Sequence, residues 1–184
     1  MAGRCAGRRR AGGEGLVRHQ MNRGSVVAEI TAADVRDIYA GRAAVETAAA
    51  QALTAHRDPA IYQRLESLVR QIEDAFARDD AAGVLDGDRL FHATLVAAAR
   101  SPRLTGFHTQ LQHEQRLALS LAERSSRALG RTADDHRVLL DALRGTPAQA
   151  QAQVSIHLQA GAAELLRLRD LLARRQERDA ANAG

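Results

Sequence analysis

Three Pro residues fix where helices can begin in this chain. Each follows a residue whose side chain caps a helix: Asp58-Pro59, Ser101-Pro102 and Thr146-Pro147. Asp, Ser and Thr accept from the free N–H groups of a first turn, and Pro at the first helical position lacks only a donor that has no partner there. Thr31 and Thr132 each precede an acid by three residues, Asp34 and Asp135, which is the spacing of a capping box. Asp79-Asp80 marks a further break. These signals predict helices over 31–56, 59–78, 80–99, 102–127, 132–144 and 147–176, with a polar tail over 177–184. The linkers are short, which favours antiparallel neighbours. Ala and Leu dominate and aromatics are 3%, so strand-forming material is scarce. The expected fold is all-α, an antiparallel bundle of about six or seven helices.

The first thirty residues read differently. In "GGEGLVRHQMNRGSVVAEI", Leu16-Val17 and Ser25-Val26-Val27-Ala28 flank the turn signal Asn22-Arg23-Gly24, the pattern of a β-hairpin. A lone two-stranded hairpin is marginal in water, so this one belongs with something larger. A basic tail, Met1 to Gly13, precedes it. All 26 basic residues are Arg, the net charge is +4, and Arg4, Arg8, Arg9, Arg10 and Arg18 stand against Glu14 alone at this end. Such a tail either touches nucleic acid or is simply solvated. Cys5 is the only cysteine, which excludes a disulfide framework. No apolar run approaches the ~20 residues of a membrane span, and no signal-peptide segment is present. A soluble cytoplasmic protein is expected.

Four polar residues lie on stripes that should be apolar. On the third helix the stripe is Leu85, Asp88, His92, Leu95, Ala99; on the fifth, His136 lines up with Leu139, Leu140 and Leu143. On the sixth, His157 follows Ala150 and Val154 and precedes Gly161, Leu165 and Leu168. Buried polar groups need partners. Any one of these could be an ordinary core residue, and Asp88 and His92 alone could be a surface pair four apart. One carboxylate and three imidazoles converging in a bundle would instead suit Zn²⁺, Ni²⁺, Mn²⁺ or Fe²⁺. The other histidines are poor candidates: His19 is in the hairpin, His56 ends the first helix and His113 is off its stripe. His108, bordering Leu104 and Leu111, reads as packing.

Arg42 and Glu46 also point partly inward, on the stripe Val35, Ile38, Arg42, Glu46, Ala49, Leu53. An exposed pair at this spacing contributes little. Held inside by Glu46, the guanidinium would be able to fork onto a carboxylate ligand.

The segments "DVRDIYAGRAAVE" (34–46), "DRLFHATLVAAARSPRL" (88–104), "DDHRVLLDAL" (134–143) and "VSIHLQ" (154–159) resemble the effector-binding FCD domain of the FadR branch of GntR transcription regulators. The resemblance runs over about 31–172. It implies an all-helical domain with a metal on Asp88, His92, His136 and His157, an organic acid effector near Arg42 and Glu46, and a dimer. One departure stands out: the family often has Gly-Asn where this chain has Arg100-Ser101. In such regulators a winged helix-turn-helix precedes the bundle, and its wing resembles "GLVRHQMNRGSVVAEI"; residues 4–13 resemble the end of its recognition helix. The expected organisation is thus a basic tail and residual wing over 1–30, the effector domain over 31–176 and the tail over 177–184. Sequence-specific DNA contact would need the complete winged module, whose DNA-reading residues this sequence does not define.

Two other functions compete with a ligand-sensing regulator. A metal-dependent enzyme could use the same four residues to activate water, with Glu46 as the sole candidate base. A plain helical dimerisation module would need no metal at all.

Overall fold

The computed structural model describes residues 17–20, 24–27, 30–120 and 126–182. Capping chemistry sets most helix starts. Thr31 accepts from the Asp34 N–H at 3.2 Å, and the Asp34 carboxylate takes the Thr31 N–H at 2.8 Å, closing a box ahead of α1 (Ala32–His56). Asp58 and Asp80 cap α2 (Pro59–Ala77) and α3 (Ala81–Ala97) at 3.1 and 2.9 Å. Ser101 caps α4 (Pro102–Ser120) at 3.4 Å. Ahead of α6 (Pro147–Asn182), Thr146 and Gln149 form a second reciprocal box, at 3.3 and 2.9 Å. That box was legible as a Thr-x-x-Gln spacing, beyond the Thr-Pro pair.

The fifth helix departs from the expectation. α5 spans Ser126–Leu143, so Thr132 stands inside it rather than at its start. Ala133 is buried with Ile72, Ala75 and Val84, and this contact with α2 and α3 carries the helix through a local capping signal. Tertiary packing outweighs a cap worth about 1 kcal/mol. α4 is described as far as Ser120, and residues 121–125 lie outside the described residues. α6 runs on to Asn182, past the expected end at 176; Ala, Arg and Glu, which crowd this stretch, are strong helix formers.

Three helices end on non-Gly residues in the left-handed region: Arg57, Asp79 and Arg100, with φ of 49°, 55° and 49°. Each such residue costs roughly 1 kcal/mol. β1 (Val17–Gln20) pairs antiparallel with β2 (Gly24–Val27), Val17 opposite Val27. The intervening Asn22 and Arg23, the flanking Leu16 and Ala28 and the basic tail lie outside the described residues.

Contacts show the helices running antiparallel. α1 meets α6 through Gln51–Gln151 and Tyr39–Gly161. It meets α4 through Glu46–His108 and Tyr39–Gln115. α2 meets α5 through Arg137–Glu73 and Arg144–Glu66. The α2–α3 seam is tightest at Gly87, where an added Cβ would lie 2.5 Å from Cγ1 of Ile72. The core between these helices includes Leu53, Leu65, Leu68, Phe91, Leu95, Leu139, Leu140 and Val154, all fully buried. Tyr39, Arg42 and Glu46 on α1, Asp88 and His92 on α3, His108 and Gln115 on α4, His136 on α5 and His157 on α6 face one region inside it.

Candidate metal centre and effector cavity

Asp88, His92, His136 and His157 come together. One donor atom from each lies within 4.8 Å of every other. The spacing along each helix explains the meeting. Asp88 and His92 are one turn apart on α3, while His136 and His157 project from the inward stripes of α5 and α6. Phe91, fully buried, packs edge-on against His136 with ring centroids 4.9 Å apart and walls the cluster.

Hydrogen bonds on the far sides of two rings set their tautomers. His92 Nδ1 lies 2.5 Å from Glu46 Oε2, so Nδ1 carries the proton and Nε2 keeps its lone pair. His136 Nδ1 lies 2.7 Å from the Thr132 carbonyl, which only an N–H can satisfy, so its Nε2 also turns a lone pair inward. His92 Nε2 is 3.2 Å from His157 Nε2. Burial pushes the His92 pKa down; burial and the neighbouring His136 and His92 hold that of His157 well below the usual range. Burial thus favours the neutral imidazoles of His92 and His157, and the Nε2 atoms of His92 and His136 face the cluster.

Asp88 sharpens the point. Its Oδ1 is 3.3 Å from His136 Nε2 and 3.7 Å from His92 Nε2, yet buried His136 Nε2 has no hydrogen-bond partner among the described residues. Burial pushes the Asp88 carboxyl up, but contact with His136 and the positive charge of His92, His136 and Arg42 bring it below the usual carboxylate range. A part-buried carboxylate set among imidazole nitrogens is a donor set that suits a cation. Zn–N and Zn–O bonds are about 2.0–2.2 Å, so donors already within 4.8 Å of one another are near enough for one ion to gather them. The residues fit a metal.

Arg42 and Glu46 are a buried pair, 2% and 0% exposed, with Nε 2.8 Å from Oε1. The surface-pair reading is excluded. Burial pushes the Glu46 carboxyl up, but Arg42, His92 and His108 hold it well below its usual range. Arg42 Nη1 meets Gln115 Oε1 at 2.5 Å, while its buried Nη2 has no partner among the described residues. Arg42, Asp88, His92, His157, Tyr39 and Gln115 are among the residues lining a cavity of about 350 Å³.

Sequence reasoning missed two members of this network. His108 is not mere packing: it is buried, and its Nε2 lies 3.0 Å from Glu46 Oε1. Gln115 joins Arg42 to the Tyr39 hydroxyl, the latter at 3.1 Å. The signal was the α4 stripe Leu104, His108, Leu111, Gln115, whose 4-3-4 spacing holds one helical face. His113 is exposed, as its position off that stripe implied.

Helices, cavity and His/Asp cluster together define a ligand-sensing helical domain. The family profile of the FCD domain matches residues 37–160. Among solved structures, a GntR transcriptional regulator from Rhodococcus sp. RHA1 is 27% identical, with 82% of this chain and 72% of that one covered and a TM-score of 0.70. A GntR-family regulator from Pseudomonas syringae pv. tomato str. DC3000 is 25% identical over 91% of this chain and 67% of that one, with a TM-score of 0.53. E. coli McbR/YncC shares the fold at 18% identity, covering 83% and 77%, with a TM-score of 0.70. A comparison with curated protein sequences finds no match. The chain belongs to the FCD-domain family and carries the effector-binding domain of GntR-type transcription regulators. Its role is regulatory and not enzymatic. No helix among the described residues is long and apolar enough to cross a membrane.

Proposed function

We propose that this domain senses a small carboxylate through a divalent metal and passes the signal to a DNA-reading module in a dimeric, cytoplasmic regulator. The observation that carries the reading is the convergence of Asp88 with His92, His136 and His157, in which His136 Nε2 is buried without a hydrogen bond. Zn²⁺, Ni²⁺, Mn²⁺ or Fe²⁺ suits three imidazoles and one carboxylate. Such an ion supplies a Lewis-acidic position for an acid oxygen. Arg42, with Nη2 unpaired beside the cavity, is the second attraction for that acid, and Glu46 holds the guanidinium in place. DNA contact is assigned to a complete winged helix-turn-helix, with β1 and β2 as its wing.

Metal analysis with melting tests the metal. Chelation is expected to lower the melting temperature and metal to restore it, because a ligand held only by the folded state stabilises it by mass action. His157→Ala should lose most of the metal. Melting indifferent to Zn²⁺, Ni²⁺ and Mn²⁺ overturns the reading. Calorimetry of the loaded protein with mono-, di- and tricarboxylates tests the effector: Arg42→Ala should weaken acid binding and spare the metal, and His136→Ala should weaken both.

A further inference from the structure

The Arg42 guanidinium is placed with unusual completeness on three sides. Nε is held by Glu46 at 2.8 Å and Nη1 by Gln115 at 2.5 Å, and the group lies over the Tyr39 ring, 5.3 Å from its centroid. Among the described residues only Nη2 is left without a partner, and it is buried. Gln115 spends its amide N–H on the Tyr39 oxygen at 3.1 Å. Tyr39 therefore accepts from Gln115 and still has its own O–H to donate. Tyr39 and Arg42 both line the cavity, as does Gln115. Across the cavity wall, Gly161 of α6 leaves room for the ring: an added Cβ would lie 3.1 Å from Tyr39 Cε1 and 3.4 Å from its hydroxyl.

We infer that Tyr39 is an effector-binding residue: its hydroxyl and Nη2 of Arg42 form a paired donor site for one carboxylate oxygen, and Gln115 is the positioning residue that sets both donors. This rests on the carboxylate-sensing reading above. Burial raises the Tyr39 pKa to about 12, so the phenol keeps its proton and stays a donor at every pH where the protein is used. Two donors aimed at one oxygen suit an anion and penalise an amide or ester, whose oxygen carries less charge. The Gln115 amide is the geometric key. Its oxygen faces the cation and its nitrogen faces the phenol, so a single side chain orients both partners.

The test is a titration of Co²⁺-loaded full-length chain with acetate, lactate, succinate and citrate, followed by calorimetry and by the visible Co²⁺ bands. Tyr39→Phe removes one donor and keeps the ring. It should weaken the bound acid by about tenfold to a hundredfold while metal content stays unchanged and melting falls only by the lost Gln115 hydrogen bond. Gly161→Ala leaves every donor in place but presses on the Tyr39 ring, and should weaken the same acid without altering Co²⁺ affinity. Gln115→Leu should weaken it at least as much as Tyr39→Phe, and adding Tyr39→Phe to it should cost little more. Acid binding undiminished in Tyr39→Phe overturns the inference alone. An unaltered protein that retains Co²⁺ but ignores every acid overturns the carboxylate reading, and this inference with it.

Discussion

Nδ1 of His92 lies 2.5 Å from Oε2 of Glu46. The same carboxylate accepts from Arg42 Nε at 2.8 Å and His108 Nε2 at 3.0 Å. One buried acid on α1 thus orients a ring of the proposed metal centre, braces the cation beside the cavity and ties in α4. Metal-binding histidines commonly donate their second N–H to such a carboxylate, which fixes the ring and raises its basicity.

Glu46→Gln tests that arrangement. An amide has one acceptor oxygen and adds a donor facing groups that are already donors. Metal affinity should fall about 10- to 100-fold, read by competition with a chromophoric chelator. The metal-free protein should also lose about 3 kcal/mol of stability, because Arg42 is left buried without its counter-charge. Metal affinity equal to that of the unaltered chain would show that Glu46 acts only on folding.

Gly87 is the contact point of α3 on α2, and Asp88 follows it directly. In Gly87→Ala the new methyl would sit 2.5 Å from Ile72 Cγ1, so the helices must separate. Overpacking of this kind costs about 1–3 kcal/mol, partly offset by the better helix propensity of Ala. Urea unfolding should show net destabilisation, and Ile72→Ala in the same chain should recover part of it. Strictly additive losses would rule out the clash as the cause.

Glu66 joins two helices through Arg137 and Arg144, each at 2.6 Å. Those hydrogen bonds pull its carboxyl down to about 2. The folded value lies below that of an unfolded Glu, about 4.3. The stabilisation is therefore complete above that value and is lost as pH falls towards 2. Glu66→Gln should cost about 1 kcal/mol at pH 7, since the partners are partly exposed, and should flatten the acid limb of the stability profile. An unchanged limb would assign the acid sensitivity elsewhere.

Most of the fold was legible because helix starts are local. Thr31, Asp58, Asp80 and Ser101 cap their own helices within three residues, and nothing distant is needed to read them. The His/Asp cluster was legible for the same reason. Asp88, His92, His136 and His157 each interrupt an apolar stripe, and a stripe is a property of one helix.

What the chain could not announce depended on neighbours. Thr132 carries a capping signal that is overridden where Ala133 packs on Ile72 and Val84. Arg100, standing where the resemblance placed Gly, proves to hold a left-handed turn at φ 49°, with Asp58 3.3 Å from its guanidinium. His108 and Gln115 gain meaning only from Glu46 and Tyr39, some 60 to 80 residues away. A sequence determines which face of each helix is apolar, because that follows from a 3.6-residue repeat. Which polar groups share that face's interior is decided by how the helices pack, because a buried hydrogen bond needs two partners, and here they come from different helices.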